Sequence, residues 1–172
     1  YFDVIPADAR RWALVRSVSK ALGPDLRLAL VASDAQTSSR LRLRLAAGAH
    51  WVSHLLQQAV IGCLGSPTVN AQIADARDGY ADRRSLLVQL LHERGITTAA
   101  SGDGLNVWIP LETDSQPLVI ELAKHGWLTR GGESFGVQAP SHGLRLTISS
   151  LAPDDAMRFA DDLAAAMQRL AL

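Results

Sequence analysis

The segment between Ser66 and Gly95 is the feature that most constrains what this chain can fold into. Ser66-Pro67 is a typical helix start, because serine serves as an N-cap and proline is favoured at the first helical position. Gly95 is a typical C-terminal stop, and only Gly79 weakens the helical pattern in between. A helix over 67–94 at about 1.5 Å rise per residue reaches roughly 40 Å, which is longer than a small domain needs. The sequence therefore predicts a long helix that connects two domains.

The part of the chain before this helix has the pattern of an α/β domain. We predict strands at residues 12–15 and 26–32 and helices at 36–47 and 50–64. The first strand is a continuous apolar run, which is typical of a buried strand. A tight loop at Gly23-Pro24 joins the two strands. Residues 1–66 are therefore interpreted as the remnant of a large α/β domain, and residues 67–95 as the connecting helix.

The part after the helix has shorter elements of both kinds. We predict strands at 106–111, 127–130 and 144–149, and helices at 116–125 and from Pro153 onward. The strand at 144–149 alternates apolar and polar residues, as a half-buried antiparallel strand does. The last helix is predicted to bury one side, made of Met157, Ala160, Leu163, Ala164, Met167 and Leu170. Residues 96–172 are therefore predicted to form a small α+β domain.

Composition excludes several classes of protein. The chain has 172 residues, 48% of them apolar and 20% charged, which is ordinary for a globular protein, and its formal net charge is zero. It therefore has no overall basic field of the kind that marks a nucleic-acid binder. Arg40, Arg42 and Arg44 alternate with leucines, which favours a solvated helix face over a phosphate or DNA site. Cys63 is the only cysteine, and no apolar run approaches the length of a membrane span.

One short motif carries the chemistry, namely Ser17-Val18-Ser19-Lys20 followed by Arg27. A lysine amine can condense with an aldehyde, and amines of this kind carry pyridoxal phosphate. Arg27 is suited to bind a phosphate dianion through two parallel hydrogen bonds, and the serine hydroxyls can add further donors. The alternative is a polar loop with a solvated lysine.

Residues 17–28 resemble the lysine motif of fold type I aminotransferases, specifically that of the MocR group of GntR-family regulators. In that group an aminotransferase-like domain follows a winged-helix DNA-binding domain. Gly132-Glu133-Ser134-Phe135 stands where the family has a Gly-x-x-Phe turn, and residues 144–149 stand where it has a Leu-Arg-Leu strand. Within the group, the segments 16–34, 41–43 and 51–57 most resemble PtsJ-type regulators, which are linked to vitamin B6 supply. The resemblance implies the C-terminal part of a fold type I fold.

The resemblance also implies roles for individual residues. Lys20 matches the lysine that holds pyridoxal 5'-phosphate covalently. Ser17, Ser19 and Arg27 match ligands of the cofactor phosphate. Tyr1 matches the tyrosine that hydrogen-bonds the hydroxyl group of the cofactor ring.

Arg145 matches the arginine that binds the carboxylate of an amino-acid substrate, and its alternative is an exposed strand arginine. Gly131-Gly132 departs from the Pro-Gly that the family usually has before the turn. The family aspartate that pairs with the ring nitrogen, its phosphate loop and its ring-stacking aromatic are all expected upstream of Tyr1. Pyridoxal phosphate needs that aspartate to act as an electron sink. We therefore expect the 172 residues alone to be inactive in transamination.

These implications lead to a functional hypothesis with one alternative. We expect a cytoplasmic, pyridoxal-phosphate-binding effector domain of a bacterial transcriptional regulator that senses pyridoxal phosphate or an amino-acid-like effector. The intact protein is expected to be a homodimer that binds DNA through its winged-helix domain. The alternative is part of an aminotransferase that converts an amino acid and a 2-oxo acid.

Two weaker candidates concern metal binding and a substrate entrance. His50 and His54 are spaced to share one helix face, but no third ligand accompanies them, so no metal site is predicted. Gly102-Asp103-Gly104 is interpreted as a turn before a strand, with a substrate entrance as the weaker alternative.

Overall fold

The computed structural model describes residues 5–48, 51–99, 104–137, 139 and 141–171. In chain order its elements are β1 (Ala13–Ser17), β2 (Ala29–Ser33), α1 (Ala35–Leu45), α2 (His54–Gly65), α3 (Pro67–Glu93), β3 (Asn106–Pro110), α4 (Gln116–Lys124), β4 (Arg130–Gly131), a 3-10 turn (Gly132–Phe135), β5 (Gly143–Thr147) and α5 (Pro153–Leu170). The chain divides into two compact units, Tyr1–Ala74 and Asp75–Leu172, called here the N-terminal and C-terminal units.

The predicted long helix is present as α3, which has 27 residues. The Ser66 hydroxyl accepts a hydrogen bond from the Val69 amide at 3.4 Å, as an N-cap does. At the other end Gly95 has a φ of +74°, and the Ile96 amide donates to the Leu91 carbonyl at 2.9 Å. The left-handed conformation of Gly95 ends the helix. The boundary between the two units falls within α3, whereas the division at residues 66 and 95 stays a prediction.

The N-terminal unit contains an antiparallel hairpin and two helices. Strands β1 and β2 pair from Ala13 opposite Ser33 to Ser17 opposite Ala29. The Asp34 carboxylate caps α1 by accepting from the Thr37 amide at 3.0 Å, and it also accepts from the Trp12 amide at 2.8 Å. These bonds, chiefly those with Thr37, lower the pKa of Asp34 to about 2. Asp34 therefore joins the start of the hairpin to the start of α1.

The prediction of a buried first strand is wrong for this unit. Val15, Leu30 and Val31 are each more than half exposed. The sheet of this unit has only two strands among the described residues, and the helices of the unit leave these three side chains largely uncovered. The second strand also begins later than predicted, and Arg27 therefore lies in the loop before β2.

The C-terminal unit is an antiparallel sheet of order β3-β5-β4 with helices over one face. Along β3 and β5 alternate residues point to the same face, and Val107, Ile109, Leu144 and Leu146 are buried. They belong to one core cluster with residues of α3, α4 and α5, among them Leu87, Leu91, Leu118, Leu122, Ala160 and Leu163. The predicted alternation of the strand at 144–149 is confirmed.

Helix α5 starts at Pro153 as predicted, and of its predicted apolar side Ala160 and Leu163 are buried while Ala164, Met167 and Leu170 pack against the core. Ala156, Phe159, Ala160, Leu163 and Ala166 are its buried residues, whereas Met157 is 48% exposed. Ala156 and Phe159 extend the buried stripe of α5 at helical spacing, and Met157 lies at the edge of that stripe. Its placement on the apolar side was wrong.

The strand predicted at 127–130 is present only at Arg130–Gly131. The Trp127 indole packs edge-on against Phe159 with ring centroids 5.2 Å apart, and its N–H donates to Asp162 Oδ2 at 2.7 Å. These contacts hold Trp127 against α5 rather than in the ladder with β5. Within the described part of the chain, no helix has the length and apolarity needed to cross a membrane.

Candidate functional site

The lysine loop, residues 18–28, closes the β1–β2 hairpin. The Val18 amide donates to the Leu28 carbonyl at 3.1 Å, and the Val18 carbonyl accepts from the Leu22 amide at 2.8 Å. Gly23 has a φ of +120°, a conformation that side chains other than glycine rarely adopt. The loop is therefore held by short-range backbone hydrogen bonds around a required glycine.

The two serines of the motif are bonded to each other and to the far arm of the loop. The Ser19 amide donates to Ser17 Oγ at 3.3 Å, and the Ser17 hydroxyl donates to Ser19 Oγ at 3.2 Å. The Ser19 hydroxyl donates to the Leu26 carbonyl at 2.9 Å. Both hydroxyl protons are therefore used within the loop. The bond from Ser17 is the longer and more exposed of the two, so it is the one that a bond to a phosphate oxygen can replace more easily.

Lys20 and Arg27 are both exposed in this loop. Within the described residues, neither side chain has a hydrogen-bond or ion-pair partner. Two unpaired cations and a serine hydroxyl form a donor set that suits a phosphate dianion, and the amine suits an aldehyde. The residues therefore fit pyridoxal phosphate. Tyr1, the remaining predicted cofactor contact, lies outside the described residues, as do His50 and Asp103.

In the C-terminal unit, Arg145 is at the middle of β5. Its ladder partners are Trp108 on β3 and Arg130 on β4. Residues directly opposite each other project from the same face of a sheet, here the face opposite the core. We call Trp108, Arg130, Phe135 and Arg145 the arginine face.

The Arg145 guanidinium lies against an aromatic ring but has no hydrogen-bond acceptor among the described residues. Its Cζ is 4.4 Å from the centroid of the Phe135 ring, and that ring makes an edge contact with Trp108 at 6.3 Å. Arg145 Nε is buried without a hydrogen-bond partner in the same part of the chain. Leaving a buried donor unpaired costs free energy. This arrangement suits a guanidinium that accepts an external anion such as a carboxylate.

A carboxylate clamp holds the 3-10 turn that carries Phe135. Glu133 accepts from the Ser115 hydroxyl at 2.5 Å and from the Ser115 amide at 3.0 Å, and it lies 3.2 Å from His142 Nδ1. Ser115 is fully buried. The bonds from Ser115, its hydroxyl first, lower the pKa of Glu133 to about 2. Sequence reasoning missed this clamp, because Ser115 and Glu133 are 18 residues apart and no local pattern marks the pair.

The two glycines before Phe135 permit close packing. A Cβ on Gly132 would lie 2.7 Å from Trp108 Cη2 and would also collide with the Ser141 carbonyl. A Cβ on Gly131 would lie 2.7 Å from Glu133 Oε2. The departure from Pro-Gly is thus accommodated by a turn that Glu133 and Trp108 hold in place.

The class of protein follows from comparison with known families. The Aminotransferase class I and II family matches residues 2–163, and the chain belongs to that family. The chain is also similar to a particular protein, the vitamin B6 salvage pathway transcriptional repressor PtsJ of Salmonella typhimurium. The two are 51% identical over 166 residues, which is 96% of this chain and 38% of that protein. The predicted resemblance to PtsJ-type regulators is confirmed.

Solved structures support the same fold. Kynurenine aminotransferase of Pyrococcus horikoshii, solved in complex with PMP, has a TM-score of 0.80 at 19% identity, over 92% of this chain and 41% of that chain. LysN, the alpha-aminoadipate aminotransferase of Thermus thermophilus, was solved with N-(5'-phosphopyridoxyl)-L-leucine. It has a TM-score of 0.74 at 19% identity, over 92% of this chain and 42% of that chain. The fold type I prediction is confirmed, and the chain spans about two fifths of these relatives.

Proposed function

We propose that this chain is the pyridoxal-phosphate-binding effector part of a bacterial transcriptional regulator. One observation carries the proposal, the 51% identity to a vitamin B6 salvage repressor over 96% of the chain. The solved aminotransferases described above have the same fold at only 19% identity. The much higher identity to the repressor than to the aminotransferases favours a regulator. We further propose that the intact protein is cytoplasmic, dimeric and bound to DNA through a winged-helix domain.

The lysine loop is the proposed cofactor-binding element. Bound pyridoxal phosphate would supply an aldehyde for a lysine amine and a ring that withdraws electrons. Lys20 provides the amine, and its exposed, unpaired side chain is accessible to that aldehyde. Arg27 and Ser17 donate to the phosphate, while Ser19 holds the two arms of the loop together through Leu26. Tyr1 is proposed as a contact to the ring hydroxyl.

Arg145 is proposed to bind the carboxylate of an amino-acid-like effector. Its support is the guanidinium that has no acceptor among the described residues and whose Cζ lies 4.4 Å from the centroid of the Phe135 ring. A planar guanidinium pairs with a carboxylate through two parallel hydrogen bonds.

Lysine labelling tests the cofactor proposal with an internal control. The chain contains only two lysines, Lys20 and Lys124. Full-length regulator is incubated with pyridoxal phosphate, reduced with borohydride so that the cofactor stays attached to the amine that holds it, and mapped by peptide mass spectrometry. We expect the label on Lys20, its loss in Lys20→Ala and its retention in Lys124→Arg. A label confined to Lys124 or to a lysine outside these 172 residues, or no label, would refute the assignment.

A second experiment separates the regulator from the aminotransferase. Full-length protein is assayed with an amino donor and a 2-oxo acid, and its binding to DNA upstream of vitamin B6 salvage genes is measured with and without pyridoxal phosphate. We expect cofactor-dependent DNA binding without turnover. Turnover that Lys20→Ala abolishes, without any effect of cofactor on DNA binding, would favour the aminotransferase.

A further inference from the structure

Arg130 and Arg145 are direct neighbours across the ladder between β4 and β5. Directly opposite residues have Cβ atoms about 4.5–5.5 Å apart, and like charges at such positions destabilise a sheet. A negative charge bound between two arginines on one face of this sheet would therefore relieve a repulsion as well as gain two partners.

The C-terminal unit does not supply that charge within the residues the structure describes. Neither Arg130 nor Arg145 has an ion pair there. Glu133 is the carboxylate nearest to Arg130 in sequence, and it is committed to Ser115 and His142. Five other arginines of this unit do have oxygen partners, namely Arg77, Arg84, Arg94, Arg158 and Arg169, while Arg83 lies over the ring of Tyr80.

The two arginines also differ in their surroundings. Arg145 is partly buried against Phe135, and its Nε is enclosed without a partner among the described residues. Arg130 is exposed. An anion bound at Arg145 would therefore lie on the face of the sheet from which Arg130 also projects, together with Trp108.

We propose that Arg130 and Arg145 together form a site for a ligand with two negative charges, a phosphate monoester or a dicarboxylate. The inference rests on the proposed anion-binding role of Arg145 and assigns Arg130 as the residue that selects dianions over monocarboxylates. Arg145 binds the first anionic group, and Arg130 pairs with the second charge. A monocarboxylate engages Arg145 alone.

The test is an NMR titration of the 172-residue chain with three probes: acetate, succinate and phenyl phosphate. Ionic strength is constant, and the pH is one at which succinate and phenyl phosphate are fully ionised. The arginine Nε–Hε signals report binding at each guanidinium. We expect both dianions to bind about tenfold more tightly than acetate, since a charge-assisted hydrogen bond is worth roughly that factor. The order of succinate and phenyl phosphate distinguishes a dicarboxylate from a phosphate ligand.

Variants separate this inference from the proposed function. Arg130→Gln should reduce dianion affinity about tenfold, to the level of acetate, and leave acetate binding unchanged. Arg145→Gln, and Arg145→Lys as a variant that retains the charge, should weaken all three probes. Arg77→Gln removes an exposed arginine that already pairs with Asp78, and it should change nothing.

Two results would overturn the role of Arg130: equal binding of all three probes, or no effect of Arg130→Gln. If Arg145→Gln leaves acetate binding unchanged, the anion-binding role of Arg145 fails as well. An absence of binding by every probe up to high millimolar concentration overturns both.

Discussion

Within the described residues, the N-terminal unit buries only two apolar side chains, Val18 and Val60, whereas the C-terminal unit has a core cluster of fifteen buried residues. The lysine loop is accordingly held by hydrogen bonds between residues close in sequence, such as Ser19 and Leu26. The arginine face instead stands on a sheet whose other face is fully packed. The core therefore fixes the backbone around Arg145, whereas the backbone around Lys20 is held only by short-range hydrogen bonds.

The units also differ in charge. The N-terminal unit has eight Lys and Arg against four Asp and Glu, and the C-terminal unit has nine against thirteen. No acidic residue occurs between Ala35 and Ala74. The neutral total thus conceals an excess of four positive charges on the unit that is proposed to bind a phosphate, and an excess of negative charge on the other. Within the described residues of this acidic unit, Arg130 and Arg145 have no ion pair although carboxylates outnumber cations, and they are the two such arginines that face each other across a ladder.

A matched pair of leucines tests the contrast in packing and has the largest expected effect. Leu144→Ala removes a fully buried side chain of β5 and should lower the free energy of unfolding of the C-terminal unit by about 2–5 kcal/mol. Leu30→Ala, in a strand where leucine is 57% exposed, should cost less than about 1 kcal/mol. Urea unfolding followed by circular dichroism measures both. Equal losses would contradict the contrast.

A pair of glycines should give effects of opposite sign. Gly132→Ala places a methyl group against Trp108 and the Ser141 carbonyl and should destabilise the C-terminal unit by about 1–3 kcal/mol. Gly62→Ala has open space within α2 and should stabilise its helix by about 0.4–1 kcal/mol. Thermal unfolding of the two variants checks this. A stabilised Gly132→Ala variant would show that the turn is not held as closely as described.

The Glu133 clamp predicts a pH dependence. The folded pKa of Glu133 is about 2, below the ordinary value of 4.5. The stability it contributes is therefore fully present above pH 4.5 and is lost as the pH falls toward 2. Glu133→Gln should cost about 1–3 kcal/mol at neutral pH, because the Ser115 donors lose their anionic acceptor. The free energy of unfolding of this variant should also decrease less steeply as the pH falls from 4.5 toward 2.

Glu112→Gln, at an exposed position of the same unit, is the control for this pH experiment and should leave the curve unchanged. Urea unfolding at a series of pH values from acid to neutral provides the curves. An acid limb that stays equally steep without Glu133 would assign the pH dependence to other carboxylates.

The smallest effect is expected in the N-terminal unit, at Asp34. Asp34→Ala removes the acceptor of the Thr37 and Trp12 amides. Amide hydrogen exchange should become faster at these two residues and along the first turn of α1, while exchange in the C-terminal core stays unchanged. Faster exchange throughout the C-terminal core would mean that the two units are not independent in stability.

Strong local signals explain which parts of the fold the sequence predicts well. Ser66-Pro67 and Gly95 determine the ends of α3 through capping, which depends only on neighbouring residues. The motif of Ser17, Lys20 and Arg27 and the alternation along β5 are equally local. The family resemblance built on these motifs agrees with the match over residues 2–163.

The features that sequence reasoning missed depend on contacts between distant residues. Trp127 belongs to an apolar run that favours a strand, yet its hydrogen bond to Asp162, 35 positions away, moves it out of the sheet. The pairing of Arg130 with Arg145 depends on a strand register that only the structure provides. The apolar residues of β1 are typical of a strand that is covered on both faces, and the two-stranded sheet of this unit does not provide that cover.

The Glu133 clamp also has a consequence for the order in which the C-terminal unit folds. Joining Ser115 to Glu133 closes a segment that contains all of α4 and β4. The entropy lost on closing such a segment is recovered only after α4 has packed on the core through Leu118 and Leu122. The turn that carries Phe135 is therefore expected to form late in folding. Substitutions at Glu133 should then mainly accelerate unfolding and leave the folding rate nearly unchanged.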